Sequence, residues 1–272
     1  MTRFRHAIPL LALLALGAES AAAQGFRVED IVRADVIPGW RTAQGTHMAA
    51  LHLTLAEGWK TYWRAPGDSG FPPQFDWAGS ENLAGVELHW PRPEVFDTGG
   101  VRTIGFDREL VLPLEVALLD ATGAARLSGT VDLGVCDTVC VPVRLELAAA
   151  LPAAAGMSDA RIRAALDHRP DSAAEAGLRA ASCTLVATPE GMRLTATLDL
   201  PQQGMAEVAV VEVAAEGVWV SSAETRREGP RLVAEAALVS LSGAPLALDA
   251  AAVRITVLGD DQAVDIPGCA VP

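Results

Sequence analysis

Two cysteines separated by three residues, Cys136 and Cys140 in the stretch GVCDTVCVP, limit the chain more than any other feature. They follow a run of β-forming sequence, and a fully extended strand would hold their Cα atoms roughly 13 Å apart at ~3.3 Å per residue. A disulfide needs about 4.4 to 6.8 Å, so the segment must turn if the two bond. Asp137 and Thr138 suit a short turn, and Pro142 removes a backbone donor soon afterwards. So small a ring constrains the unfolded chain weakly, which suits a bond that is made and broken in use. Three roles fit the spacing: a thiol/disulfide exchange site, a structural staple, or a soft-metal site of two thiolates.

The N-terminus reads as an export signal. Arg3 and Arg5 precede an apolar run from Ile8 to Leu16, and small residues from Ser20 to Ala23 lead to Gln24, which predicts a secretory signal peptide over residues 1–23. That run is too short to span a bilayer, and no later stretch reaches the ~20 apolar residues a spanning helix needs. The mature chain is therefore expected to lack a membrane span and to work in an oxidising compartment, the periplasm, where four cysteines can pair in three ways. A formal net charge of −13 repels nucleic acid and anionic lipid, so neither is an expected partner.

Short strands with Gly and Pro between them run through both halves of the chain. In MAALHLTLA, Leu51, Leu53 and Leu55 alternate with Ala50, His52 and Thr54, the pattern of a half-buried antiparallel strand. His47 and His52 fall on opposite faces and share no metal; each reads as an ordinary surface histidine, and no metal site is expected. The block GWKTYWRAPGDSGFPP places Trp59, Tyr62 and Trp63 before a rigid Pro- and Gly-rich turn, either core packing or a platform beside the cysteines. Between Pro93 and Phe106, Gly99 and Gly100 make a loop weighted by Phe96, Val101, Ile104 and Phe106, able to fold over a disulfide or to serve as a buried hairpin corner.

From Leu151 to Ala181 the composition turns alanine-rich. Ser158 is expected to cap a short helix through Leu166, and Ser172 with Glu175 forms a capping-box pattern for a second one. Strands then return from Cys183 onward. Cys183 and Cys269 would clamp the ends of this part as a structural disulfide, closing a loop that contributes on the order of 4 kcal/mol. The fold expected is all-β: two β-sandwich domains, residues 24–150 and 182–272, joined by a short helical connector over 151–181.

Taken together, GWKTYWRAPGDSGFPPQFDW, LHWPRP, TIGFDRELVLPL and LGVCDTVCVP resemble the N-terminal periplasmic domain of the thiol:disulfide interchange protein DsbD family, nearest the branch that includes the copper-tolerance protein ScsB. The resemblance implies an immunoglobulin-like domain whose cysteine pair passes electrons, without a cofactor, from a membrane thiol reductase to periplasmic thioredoxin-fold proteins. It implies Cys140 as the nucleophile and Cys136 as the resolving thiol. By the same resemblance a cap spanning Asp97 to Ile104, with Phe96, Val101, Ile104 or Phe106, shields the sulfurs, and Tyr62 with Trp63 forms an aromatic pair near the site. The chain carries neither the family's transmembrane electron carrier nor its thioredoxin-like domain, so the reductase is expected to act in trans.

Asp137 between the cysteines disfavours a thiolate by like-charge repulsion, and no Lys or His stands beside them in sequence to offset it. Arg144 is the nearest basic residue. The expectation is an unremarkable thiolate whose partner is chosen by docking. Two rival roles remain at this stage. A copper-handling protein would use Cys136 and Cys140 as Cu(I) ligands, as in the CxxxCP of Sco-type chaperones, whose thioredoxin-like fold the β-rich pattern does not support. A non-catalytic structural module would keep both disulfides closed.

Overall fold

The period-two alternation of apolar and polar residues becomes strands along most of the chain, which the computed structural model describes over residues 27–269. The expected signal peptide lies outside the described residues. After one helical turn, α1 (Val28–Ile31), come β1 (Val32–Arg41), β2 (His47–Leu55), β3 (Lys60–Gly67), β4 (Gln74–Asp76), β5 (Leu83–Leu88) and β6 (Glu94–Thr98). They are followed by β7 (Val101–Asp107), β8 (Glu109–Leu118), β9 (Ala125–Cys136) and β10 (Cys140–Leu151). One sheet runs β1-β2-β8-β5; the other runs β10-β9-β3-β7-β6, with β4 also paired to β9. β3 pairs with β9 only through its first two residues, Lys60 and Thr61; the chain then departs, arcs outward through Pro66 to Pro72, and rejoins β9 as β4.

Leucines at alternate positions of β2 and β8 face Trp63, Leu127, Val131 and Val135 of the second sheet, and this apolar layer is the core of the first sandwich. The other face of β2 is covered as well. Met48 and Ala50 pack under Ile162 of α2 (Ala160–Asp167), whose first turn is capped by Asp159 accepting from Arg161 N at 2.8 Å. The helix thus starts one residue later than the Ser158 cap predicts. His47, expected at the surface, shares the core face of β2 with Leu51 and Leu53 and is fully buried, with its ring against the Pro38 carbonyl. Burial pulls its pKa below the usual histidine value and favours the neutral ring.

The second expected helix does not form. Ser172 N and Oγ both donate to Glu175 Oε2, at 2.9 and 2.7 Å, so the capping box is made. It closes a single turn, because Gly177 at φ +71° diverts the chain before a second can follow. Ser172 ends a two-residue strand instead.

The second half comprises β11 (Asp171–Ser172), β12 (Ala180–Thr188), β13 (Gly191–Asp199), β14 (Val208–Val213), β15 (Val218–Val220), β16 (Glu224–Glu228), β17 (Arg231–Ser240), β18 (Val253–Leu258) and β19 (Ala263–Pro267). Its sheets run β11-β19-β18-β14 and β12-β13-β17-β15, with β16 on β17. The stretch VWVSSAE divides between β15 and the start of β16. A separate core of Leu194, Leu198, Leu232, Ile255, Val257 and Ile266 fills it. The fold is therefore all-β, two immunoglobulin-like sandwiches, as the sequence predicts. Cys183 on β12, buried, is bonded to Cys269 just past β19, with Cα atoms 5.5 Å apart, so this bridge ties the two sheets together.

The sandwiches touch over a mixed surface. Val210, Leu258 and Ala263 pack onto the first core, while Arg64 at the end of β3 reaches across. Its Nε donates to Glu212 at 3.0 Å, a terminal nitrogen donates to Thr256 Oγ1 at 3.2 Å, and its guanidinium lies 4.0 Å from the Trp63 ring centroid.

Candidate thiol–disulfide site

β9 and β10 form one antiparallel hairpin whose register is unbroken from Leu151↔Ala125 to Cys140↔Cys136. The turn is Asp137-Thr138-Val139, closed by Asp137 N donating to Val139 O at 3.1 Å. Facing positions in such a pair share a side of the sheet, so the two sulfurs meet across the strands. They are bonded, with Cα atoms 4.1 Å apart. Alternation then sorts the hairpin: Val131, Leu133 and Val135 face the core, while Cys136, Gly134 and Asp132 face outward with Cys140, Pro142 and Arg144. Arg144 is held by Asp132 at 2.6 Å, four residues from Cys140, and does not serve the sulfurs.

The two cysteines differ in access. Cys136 is 7% exposed, whereas Cys140 at the hairpin's far side is open to solvent. Cys136 is buried because β3 lies against it: Lys60 pairs with Cys136 and Thr61 with Val135, which puts Lys60 and Tyr62 on the cysteine face. Tyr62 Oη donates to Cys136 Sγ at 3.0 Å and lies 3.5 Å from Cys140 Sγ. Burial raises its phenol pKa, so it stays a proton donor over any working pH.

Tyr62 is buried on an outward face only because the arc Pro66 to Pro72 folds over it. Its ring is clasped between two glycines. A Cβ at Gly70 would sit 2.6 Å from Cδ1, and one at Gly134 would sit 3.1 Å from Cε2. The Gly- and Pro-rich run after β3 is thus a strap that seats the phenol under the sulfurs.

The segment read as a flexible loop is a second hairpin. β6 and β7 pair from Glu94↔Gly105 to Thr98↔Val101, joined by Gly99 and Gly100 at φ +62° and +83°. A two-residue turn of this hand needs positive φ at both positions, and a Cβ at either would meet nothing, so glycine is set there by backbone conformation alone. Phe96, Val101 and Ile104 line a cleft of about 180 Å³ together with Lys60, Tyr62, Asp137, Cys136 and Cys140. The remaining two residues expected here lie elsewhere. Trp63, next to Tyr62 on a strand, faces the core, and Phe106 stacks on Trp90 inside the sandwich at 6.2 Å.

Sequence reasoning overlooked Lys60. It expected no basic side chain beside the cysteines, yet strand pairing puts the chain's single lysine opposite Cys136. Its ammonium sits 4.1 Å from the Phe96 ring centroid. Two clues were legible: it is two residues before Tyr62 in a strand, hence on the same face, and every other basic residue outside histidine is arginine.

The arrangement can perform one kind of chemistry without added groups. A thiolate approaching from solvent would reach Cys140 Sγ and form a new S–S bond there as the Cys136–Cys140 bond breaks, with the departing Cys136 sulfur already hydrogen-bonded by Tyr62. A β-sandwich carrying a shielded two-cysteine ring on one outer sheet face defines a thiol:disulfide interchange-type domain. Residues 30–152 match the family model for the N-terminal part of thiol:disulfide interchange protein DsbD, and this segment is a DsbD N-terminal-like domain. The crystal structure of the N-terminal periplasmic domain of ScsB from Proteus mirabilis is similar at TM-score 0.64 and 24% identity, covering 89% of this chain and 92% of that one. At that identity the likeness speaks for the fold, and it extends over both sandwiches. Among curated proteins nothing matches the chain.

Proposed function

We propose that this protein is a periplasmic electron relay that takes a pair of electrons from a membrane thiol reductase and delivers them to thioredoxin-fold proteins through Cys136 and Cys140. The single observation that carries the reading is the unequal exposure of two bonded cysteines in a lined cleft, one open and one covered. A structural staple has no use for that asymmetry, whereas exchange needs one sulfur that can be attacked and one that can leave and return. Cys140 is the sulfur that joins the partner, and Cys136 resolves the mixed species. Phe96 and Val101 would flank the bond and leave Cys140 as its open side, Ile104 would support them from the first core, and Tyr62 would steady the leaving sulfur. Cys183–Cys269 is the structural bridge, buried on one side and remote in sequence from the exchanging pair. Residues 1–23 would direct export and be removed.

Cys136→Ser leaves Cys140 with no partner in its own chain, so a disulfide formed with another protein cannot be resolved. Expressed in the native cell envelope, this variant is expected to accumulate a mixed disulfide through Cys140, sensitive to reductant and visible on a non-reducing gel. Cys140→Ser, whose remaining thiol is covered, is expected to give none. Equal trapping by both variants, or by neither, contradicts the assignment.

A further inference from the structure

We propose that Lys60 toggles between two partners at this site: it holds the Phe96 arm against the cleft beside the disulfide, and it moves to the Cys140 thiolate when the bond is reduced. The proposal rests on the exchange reading above and adds the regulation of the same site.

Three observations lead to it. Lys60 is the only lysine beside 20 arginines, a compact charge with freely rotating donors on a flexible stem, where the rest of the chain uses planar guanidinium groups. It is placed by strand register directly across from Cys136, and it lines the cleft that holds both sulfurs. Its ammonium rests 4.1 Å from the Phe96 ring centroid, and among the described residues no carboxylate lies within ion-pairing distance of it. The groups around it are Asp107, its neighbour on β7, Glu94 on the Phe96 side of β6, Asp137 in the cysteine turn, and Tyr62 on its own strand, whereas Asp97 faces the other side of β6 and pairs with Arg102. A cation held by a ring face alone, in the same cleft as a potential anion, has a stronger partner waiting in the reduced state.

The reduction step supplies that anion. A partner dithiol forms its own disulfide and gives two electrons to the Cys136–Cys140 bond, which breaks. Of the two protons released from the partner thiols, one stays on Cys136 as a thiol and one goes to solvent, leaving Cys140 as thiolate. Lys60 then offsets the repulsion from Asp137. Phe96 loses its cation, and the arm of β6 and β7 is freed to open for the next partner. An arm held beside the disulfide and an arm loosened beside the dithiol follow from one side chain.

The test uses the whole protein reduced by a phosphine, so that it does not depend on any protein partner. Wild type, Lys60→Met, Lys60→Gln and Lys60→Arg are compared after thermal melting confirms that each is folded. Alkylation of Cys140 by iodoacetamide is followed as a function of pH, and amide hydrogen exchange of residues 94–105 is followed in both redox states. In Lys60→Met and Lys60→Gln the alkylation rate near neutral pH is expected to fall several-fold with the profile displaced to higher pH, and Lys60→Arg is expected to restore it. In wild type the arm should exchange several-fold faster when reduced; in Lys60→Met the two states should exchange alike. An unchanged pH profile, or a redox-dependent arm that survives loss of the charge, overturns the proposal. Failure of the exchange reading would show instead as the absence of trapped mixed disulfides, with these profiles unaffected.

Discussion

Truncating Trp63 to alanine is expected to lower the unfolding free energy by about 3 to 5 kcal/mol, the range for removing a fully enclosed tryptophan. The side chain is wholly buried in the first core and carries the Arg64 guanidinium against its ring. Its loss therefore opens a cavity and also unseats the arginine that links β3 to Glu212 and Thr256 of the second sandwich. Trp63→Phe is expected to cost much less, because the indole Nε1–H has no acceptor and the smaller ring still fills most of the site. Urea denaturation checks both. A Trp63→Ala midpoint within error of wild type would mean that the two sandwiches do not depend on this layer.

The second large effect is chemical. In the reduced protein, Cys140 is expected to alkylate at least about tenfold faster than Cys136, since a thiolate must be reachable to react. Cys136 lies under Tyr62 and beside β3, whereas Cys140 faces solvent at the hairpin edge. Quenching after brief exposure to iodoacetamide, followed by mass spectrometry of the peptides, reads the ratio directly. Equal modification would remove the structural basis for naming Cys140 as the attacked sulfur.

Much of this was legible before any coordinates, and the parts that were not share a cause. The turn at Asp137-Thr138-Val139 follows from the spacing of two cysteines, because a bonded pair cannot sit on one extended strand. Leu51, Leu53 and Leu55 declared their face by alternation, and the same rule would have sent Trp63 inward once Tyr62 was placed at the sulfurs. Lys60 escaped because its relation to Cys136 is a pairing between strands far apart in sequence, which no local pattern encodes. His47 was legible by the same alternation, which runs from Leu51 through Ala49 to His47 and sets it on the core face opposite Val116; its residue type hid this. Ser172 and Glu175 made their local hydrogen bonds as expected, yet a capping box only starts a helix, and the chain turned at Gly177. β19 is not legible in the sequence, because AVDIP is too short and too interrupted to stand out; it is fixed by pairing with β18 and, in parallel, with β11.

The most direct measurement is the equilibrium reduction potential of the Cys136–Cys140 bond, obtained by poising the protein in defined dithiol buffers and counting free thiols. An electron relay requires a value that thioredoxin-fold dithiols can reach, about −270 to −120 mV. A potential in that window, with Cys183–Cys269 still closed, is the result predicted. A value well below about −300 mV, as structural disulfides have, would leave the bond permanently shut and contradict the account.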